Sequence, residues 1–237
     1  MASRTYGHYC AVAKTLDVVG ERWSLLVVRE LLDGPRRYVD LLAGLAGIST
    51  DMLATRLKVL EEAGIISRRT LPAPAASKVY ELTPLGRDLQ PAMTELARFG
   101  MRLLGEQGDD DAFQIHWITP SLRAMFRPER AQALSLTVEF RVGADAMHAR
   151  IADGALHTCP GHADDPDAVL TLADAATLAE IGRDPAASLT AVSTGRLHVQ
   201  GRPDAVQATR ELFGLNRDAQ RRSTHGGSGQ RSGAGQL

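Results

Sequence analysis

The sequence predicts an α+β chain built as two units, and three observations carry that reading. Up to Leu104 the apolar residues recur at helical spacing, and glycines close one short helix after another. From Gly105 to Asp111 the run GEQGDDD holds glycines and acids with no apolar residue, the composition of a boundary. Beyond it apolar and polar residues alternate, as in LSLTVEFRVG, where Leu136, Val138, Phe140 and Val142 share one strand face. The expected division is 1–104, a linker over 105–112, a second unit over 113–220 and a tail over 221–237. That tail has too little apolar surface to offset its ordering entropy.

Each element has a local cause. CAVAKTLDVVG sets Val12, Leu16 and Val19 at helical spacing and stops at Gly20. RWSLLVVRELLDG is a second helix, closed by Gly34 and Pro35, and RYVDLLAGLAG a third, through Leu45 to Gly47. Ser49 or Thr50 caps the fourth, whose Leu53, Leu57 and Leu60 share a face as far as Gly64. Two short helices across a tight glycine turn form a helix-turn-helix. IISRRTL and KVYELT then flank PAPAAS as a hairpin with Arg68, Arg69 and Lys78 toward its outer part, a wing. TPLGRDLQPAMTELARFGMRLL returns to helix, with Thr83 as cap and Pro84 at the first helical position. In the second unit, MHARIADGALHTCPG reads as two strands about the Asp153-Gly154 turn. AVLTLA is a further strand, leading through Asp174 into the helix AATLAEIGRD. GRLHVQG supplies one more strand, and RPDAVQATRELFGL a closing helix.

Composition narrows the function. The chain has 237 residues, 44% of them hydrophobic, without a run long enough for a membrane helix and without a signal-peptide core at its N-terminus, so a cytoplasmic protein is expected. Two cysteines, Cys10 and Cys159, stand far apart and imply neither a disulfide scaffold nor a zinc site. His116, His148, His157, His162 and His198 are scattered, and no nucleophile elbow, His-Glu-x-x-His or phosphate loop occurs, so no catalytic residue, metal or cofactor is expected. HTCPGHADD, with His157, Cys159 and His162, reads as a solvated loop.

The net charge of −1 hides an asymmetry: fourteen Lys and Arg face eleven Asp and Glu up to Leu104, and thirteen face seventeen after it. A polyanion would meet the first unit. On the fourth helix Asp51, Thr55 and Lys58 point away from the leucines, flanked by Thr50, Met52 and Arg56, with Ser49 at the start. A short helix with a polar start and one exposed face suits a DNA major groove, where its N-terminal side chains reach base edges. Arg36, Arg37, Arg68, Arg69 and Lys78 are placed to meet phosphates. Trp23 is expected in core packing, and Arg22 and Arg29 as solvated charges or pairs within the first unit.

The runs YC...AKTLDVVGERWSLLVVRELLDGPRRYVDLL, GISTDMLATRLKVLEEAGIISRR and VYELTPLGRDLQPAMTELARFG resemble the HxlR-type winged helix-turn-helix regulators of bacteria, within the broader MarR-like group, over Tyr9 to Leu104. The resemblance implies a DNA-binding regulator, a homodimer joined by its terminal helices and a palindromic operator in double-stranded DNA. In this chain the interface candidates are Val12, Leu16 and Val19 on the first helix, and Leu96, Phe99, Met101 and Leu103 on the last. Tyr38 stands where Phe is common, an exchange that reads as harmless. Some members resemble this chain in an N-terminal reactive cysteine; Cys10 is either such a sensor or a small apolar group.

LTAVSTGRLHVQGRPDAVQATRELF resembles the sterol-carrier-protein-like domain, a sheet backed by helices that in some relatives encloses an apolar tunnel. That likeness covers Leu134 to Leu215 and implies a hydrophobic small-molecule effector, with Phe126, Phe140, Leu172, Leu178, Ile181 and Val192 as candidate lining or as plain core. A repressor with such an effector is the leading expectation. A lipid or small-molecule carrier, and a regulator whose second unit is a ligand-free dimer brace, remain as alternatives.

Overall fold

The computed structural model describes residues 5–72, 74, 76–108 and 110–215; the expected tail over 221–237 lies outside the described residues. The first half runs α1 (Ala11–Val19), α2 (Ser24–Leu31), β1 (Arg36–Arg37), α3 (Tyr38–Gly44), α4 (Thr50–Glu62), β2 (Ile66–Thr70), β3 (Lys78–Leu82), α5 (Pro84–Arg87) and α6 (Gln90–Gly100). Its core gathers Val27, Val28 and Leu31 of α2, Leu41 of α3 and the three leucines of α4 against Ile66 and Leu82. Leu53, Leu57 and Leu60 are all buried, as their spacing of four and three requires. The hairpin is joined by β1, giving a sheet of order β1-β3-β2 in which Arg37 and Arg69 both pair with Val79, and Arg36 and Arg68 with Tyr80.

The helix expected after Thr83 breaks in two at Asp88 and Leu89. Pro91 has no backbone N–H to donate, so it fits only in a first turn, and α6 starts immediately before it. The cap itself is as expected: Thr83 Oγ1 accepts from Gly86 N at 3.1 Å and donates to the Gly64 carbonyl at 2.6 Å.

The second half contains a 3₁₀ turn (Ile115–Ile118), α7 (Thr119–Met125), β4 (Leu136–Val142), β5 (Asp145–Ala152), β6 (Ala155–Pro160), β7 (Ala168–Leu172), α8 (Ala175–Arg183), α9 (Ala187–Ser193), β8 (Leu197–Gly201) and α10 (Pro203–Leu212). Five strands lie in the order β6-β5-β4-β7-β8, with only β4 and β7 parallel. Asp153 and Gly154 both have positive φ, 51° and 76°, the conformation that a two-residue hairpin of this twist demands. Val138, Phe140, Met147, Ile151, Leu170 and Leu172 meet Ile181, Leu212 and Phe213 in a second core. The whole is α+β. Among the described residues no helix is long and apolar enough to cross a membrane.

Two residues expected on an intersubunit face lie elsewhere. Val19 is packed into the first core, and Met101 is buried beside Gly182 of α8, where its sulfur stands 2.9 Å from the position a β-carbon would take. Val12, Leu16, Leu96, Phe99 and Leu103 are exposed.

Candidate nucleic-acid interface

The start of α4 is fixed from both sides. Ser49, not Thr50, is the cap: its hydroxyl accepts from Met52 N at 3.3 Å. Tyr38 Oη donates to the Thr50 carbonyl at 2.9 Å and so ties α3 to the first turn of α4. A phenylalanine could not make this bond, so the exchange at Tyr38 is not harmless in the sense expected. The 13 residues of α4 span about 20 Å. Ser49, Thr50, Asp51, Met52, Thr55 and Lys58 are exposed along it. Thr55 Oγ1 donates back to the Asp51 carbonyl at 2.7 Å.

The cations divide. Arg37 and Lys78 are exposed, on neighbouring strands of the three-stranded sheet. Lys58 stands 3.8 Å from Glu62, Arg68 stands 3.9 Å from Glu61, and Arg69 holds Glu81 at 2.8 Å. Such exposed pairs contribute about 0–1 kcal/mol, little enough to be exchanged for a phosphate. Arg36 is half-buried and aims Nε at the Glu30 carbonyl, 3.4 Å away. Arg56 does not lie at the groove face. Its side chain is only 13% exposed, it leans toward Glu21 at 3.9 Å, and its Nε is buried without a partner. At the edge of the leucine stripe, its long stem follows the apolar surface of the first half.

Residues 18–108, which hold this capped helix and the three-stranded sheet beside it, match the HxlR-like helix-turn-helix family. An uncharacterised HTH-type transcriptional regulator of Synechocystis is 39% identical over 101 residues, which cover 43% of this chain and 75% of that protein. The chain belongs to the HxlR-like helix-turn-helix family. The HTH-type transcriptional regulator YodB of Bacillus subtilis is 38% identical over 80 residues, 34% of this chain and 71% of that one. The solved reduced form of YodB aligns with 43% of this chain and all of its own at 33% identity, with a TM-score of 0.36. The family match and the two curated relatives, both named HTH-type transcriptional regulators, support a DNA-binding regulator in the first half of this HxlR-like chain.

Cys10 is exposed at the N-cap of α1. The backbone N–H groups of Ala13, and secondarily Val12, hold its thiol below the ordinary value of 9.0. Trp23 is half-buried against the first core as expected, with Arg22 over its ring at 5.5 Å.

The six expected ligand residues do not enclose one chamber. Phe140, Leu172, Leu178 and Ile181 border a void of only about 30 Å³ in the second core, because the sheet and the helices behind it close on one another. Phe126 packs on Phe213 at 6.1 Å, and Val192 is 42% exposed on α9. In HTCPGHADD, His157 and Cys159 sit on β6, while His162 Nδ1 meets the buried Glu139 at 2.9 Å.

A polar contact between the halves of this HxlR-like chain was not expected from its sequence. Arg29 pairs within the first half as expected, holding Glu30 at 2.8 Å, and it also stacks on Trp117 of the second half at 4.3 Å. Glu30, 2% exposed, also meets His116 Nε2 at 2.8 Å. Asp33 accepts from Thr119 at 2.9 Å and from Thr158 at 2.6 Å, with Arg123 at 3.6 Å, and Gln114 donates to the Ala43 carbonyl at 3.0 Å. The readable signal was Glu30 itself, an acid on the α2 face that buries Val27 and Leu31.

Proposed function

We propose that this chain is a homodimeric repressor that binds a palindromic operator and whose second half takes up a small apolar effector. The observation that carries the reading is the free face of α4 from Ser49 to Lys58, pinned by Tyr38 and flanked by the Arg37, Arg68, Arg69 and Lys78 cations. Ser49, Thr50, Asp51, Met52 and Thr55 would meet bases, and the cations phosphates. The exposed Val12, Leu16, Leu96, Phe99 and Leu103 support pairing of two copies through α1 and α6, and the usual dimeric state of helix-turn-helix regulators supports it further. Five strands backed by helices support the sterol-carrier-like reading of the second half. Cys10, exposed at a helix start, supports a sensing thiol.

The ligand-free brace is the second reading, favoured by one observation: the sheet and its helices enclose about 30 Å³, room for about one water and not for a lipid. Gel shifts with the chain's own upstream DNA test the main reading. A salt-sensitive shift that competes with its own site but not with scrambled DNA is expected; no such shift at moderate salt defeats it.

A further inference from the structure

Beside α6, where the halves meet, lies a chamber of about 380 Å³, within the range of small-molecule sites. Met101, Phe113, Trp117, Leu122, Met125 and Leu178 wall it. A more polar recess of about 440 Å³ adjoins it, bordered by Arg98, Arg102, Arg127 and Arg183 with one acid, Glu129. The two spaces share Met101, Met125 and Gly182 as a common wall. Methionine side chains are unbranched and repack at low cost, so this wall can yield to a chain passing between the spaces.

The arginines are unequal. Arg98 is held by Glu95 at 3.1 Å, and Arg183 donates to the Leu104 carbonyl. Arg102 and Arg127 have no carboxylate within ion-pair distance among the described residues. An apolar chamber alone accepts any hydrocarbon of the right volume, and a cationic recess alone accepts any anion. Sharing a wall, they select a molecule that is both.

We infer that the junction binds an apolar carboxylate, its hydrocarbon body in the chamber between α6, α7 and α8 and its head group on Arg102 and Arg127. The regulatory meaning of such a ligand rests on the effector reading above; the binding itself does not.

Decanoate, decanol and decyltrimethylammonium, below their micelle concentrations, are the probes. The chain has two tryptophans, so Trp23→Phe leaves Trp117 in the chamber wall as the reporter. A thermal-shift series on the unmutated chain gives the ranking without that change. Decanoate should bind about tenfold more tightly than decanol, with the cation weakest. The pair Arg102→Gln and Arg127→Gln should bring decanoate to the level of decanol and leave decanol unchanged, Arg102→Lys with Arg127→Lys should restore the preference, and Leu178→Trp should exclude all three. Equal binding of decanoate and decanol, a preference that survives the glutamine pair, or no response to any probe overturns the proposal. Operator gel shifts run in parallel separate the two ideas. Discriminating binding with unchanged DNA affinity keeps the site and removes its effector role, whereas altered DNA affinity without discrimination removes the site.

Discussion

Replacing Glu30 by alanine removes the centre of the contact between the two halves. The carboxylate is 2% exposed, accepts from Arg29 at 2.8 and 3.1 Å, and meets His116 at 2.8 Å. Alanine leaves the guanidinium of Arg29 enclosed under Trp117 with no counter-charge. Breaking a buried pair by deleting one partner costs about 3–5 kcal/mol. Arg29 and His116 are 15% and 16% exposed, so water reaches their outer edges and the lower end, about 3 kcal/mol, is expected. Glutamine keeps the shape and one acceptor and should cost roughly half as much. Urea unfolding followed by tryptophan fluorescence measures both, and a double-mutant cycle with His116→Gln should give a coupling of about 1–2 kcal/mol. A loss below about 1 kcal/mol for Glu30→Ala, or no coupling to His116, would refute the reasoning.

The same group predicts a pH profile. Burial pushes Glu30 upward, but the His116 hydrogen bond and charge, and then Arg29, outweigh it and hold the carboxyl below its ordinary 4.5. A depressed folded value stabilises above the unfolded value. The advantage of the wild type over Glu30→Gln should therefore be full above pH 4.5 and shrink as pH falls toward the folded value.

Tyr38→Phe should cost about 1 kcal/mol of stability by freeing the Thr50 carbonyl, and should weaken specific DNA binding several-fold in titrations by fluorescence anisotropy. Lys58→Ala and Arg37→Ala should each lower the salt slope of binding by about one, whereas Arg56→Ala, removing a group that faces Glu21, should lower stability and leave the slope unchanged. Cys10 should react with iodoacetamide faster than Cys159 near neutral pH, its rate rising at lower pH than for an ordinary thiol because the Ala13 and Val12 N–H groups favour the thiolate; mass spectrometry of the alkylated peptides decides this. Gly44→Ala should destabilise by about 1–3 kcal/mol in the same urea assay, because its β-carbon would collide with the Glu30 carboxylate.

What the sequence made legible follows the range of each interaction. The leucines of α4, the Thr83 cap with Pro84, and the Asp153-Gly154 turn obey rules that span three or four residues, and each forms as expected. The break before Pro91 is also local, but the apolar stripe that continues past it has the period of one unbroken helix. Arg56 sits at the border of the exposed arc, where a helical wheel assigns no side; Glu21, from a different element, decides it. The second-half partners of Glu30 and Asp33 are 86 or more residues away, beyond any spacing rule. The six candidate ligand residues divide for a further reason: interiors and apolar pockets are lined by the same side chains, so Phe140 and Ile181 pack as core while Leu178 also walls the chamber beside α6.

The placement of α2 decides how the second half could affect the first. One side of α2 supplies Val27, Val28 and Leu31 to the core that holds the leucines of α4, while Arg29 and Glu30, with Asp33 just past its end, grip the second half. A displacement of the second half must therefore either carry α2 with it, and through the shared core tilt α4, or break the Glu30 and Asp33 contacts. Coupling between sites in proteins is typically about 1–3 kcal/mol, no more than the roughly 3 kcal/mol expected for losing Glu30 alone. A coupling of that size could therefore be transmitted through α2 without exceeding what the Glu30 contact contributes. A ligand in the chamber beside α6 would then influence α4 by the difference in its affinity for the two placements, not by its affinity as such.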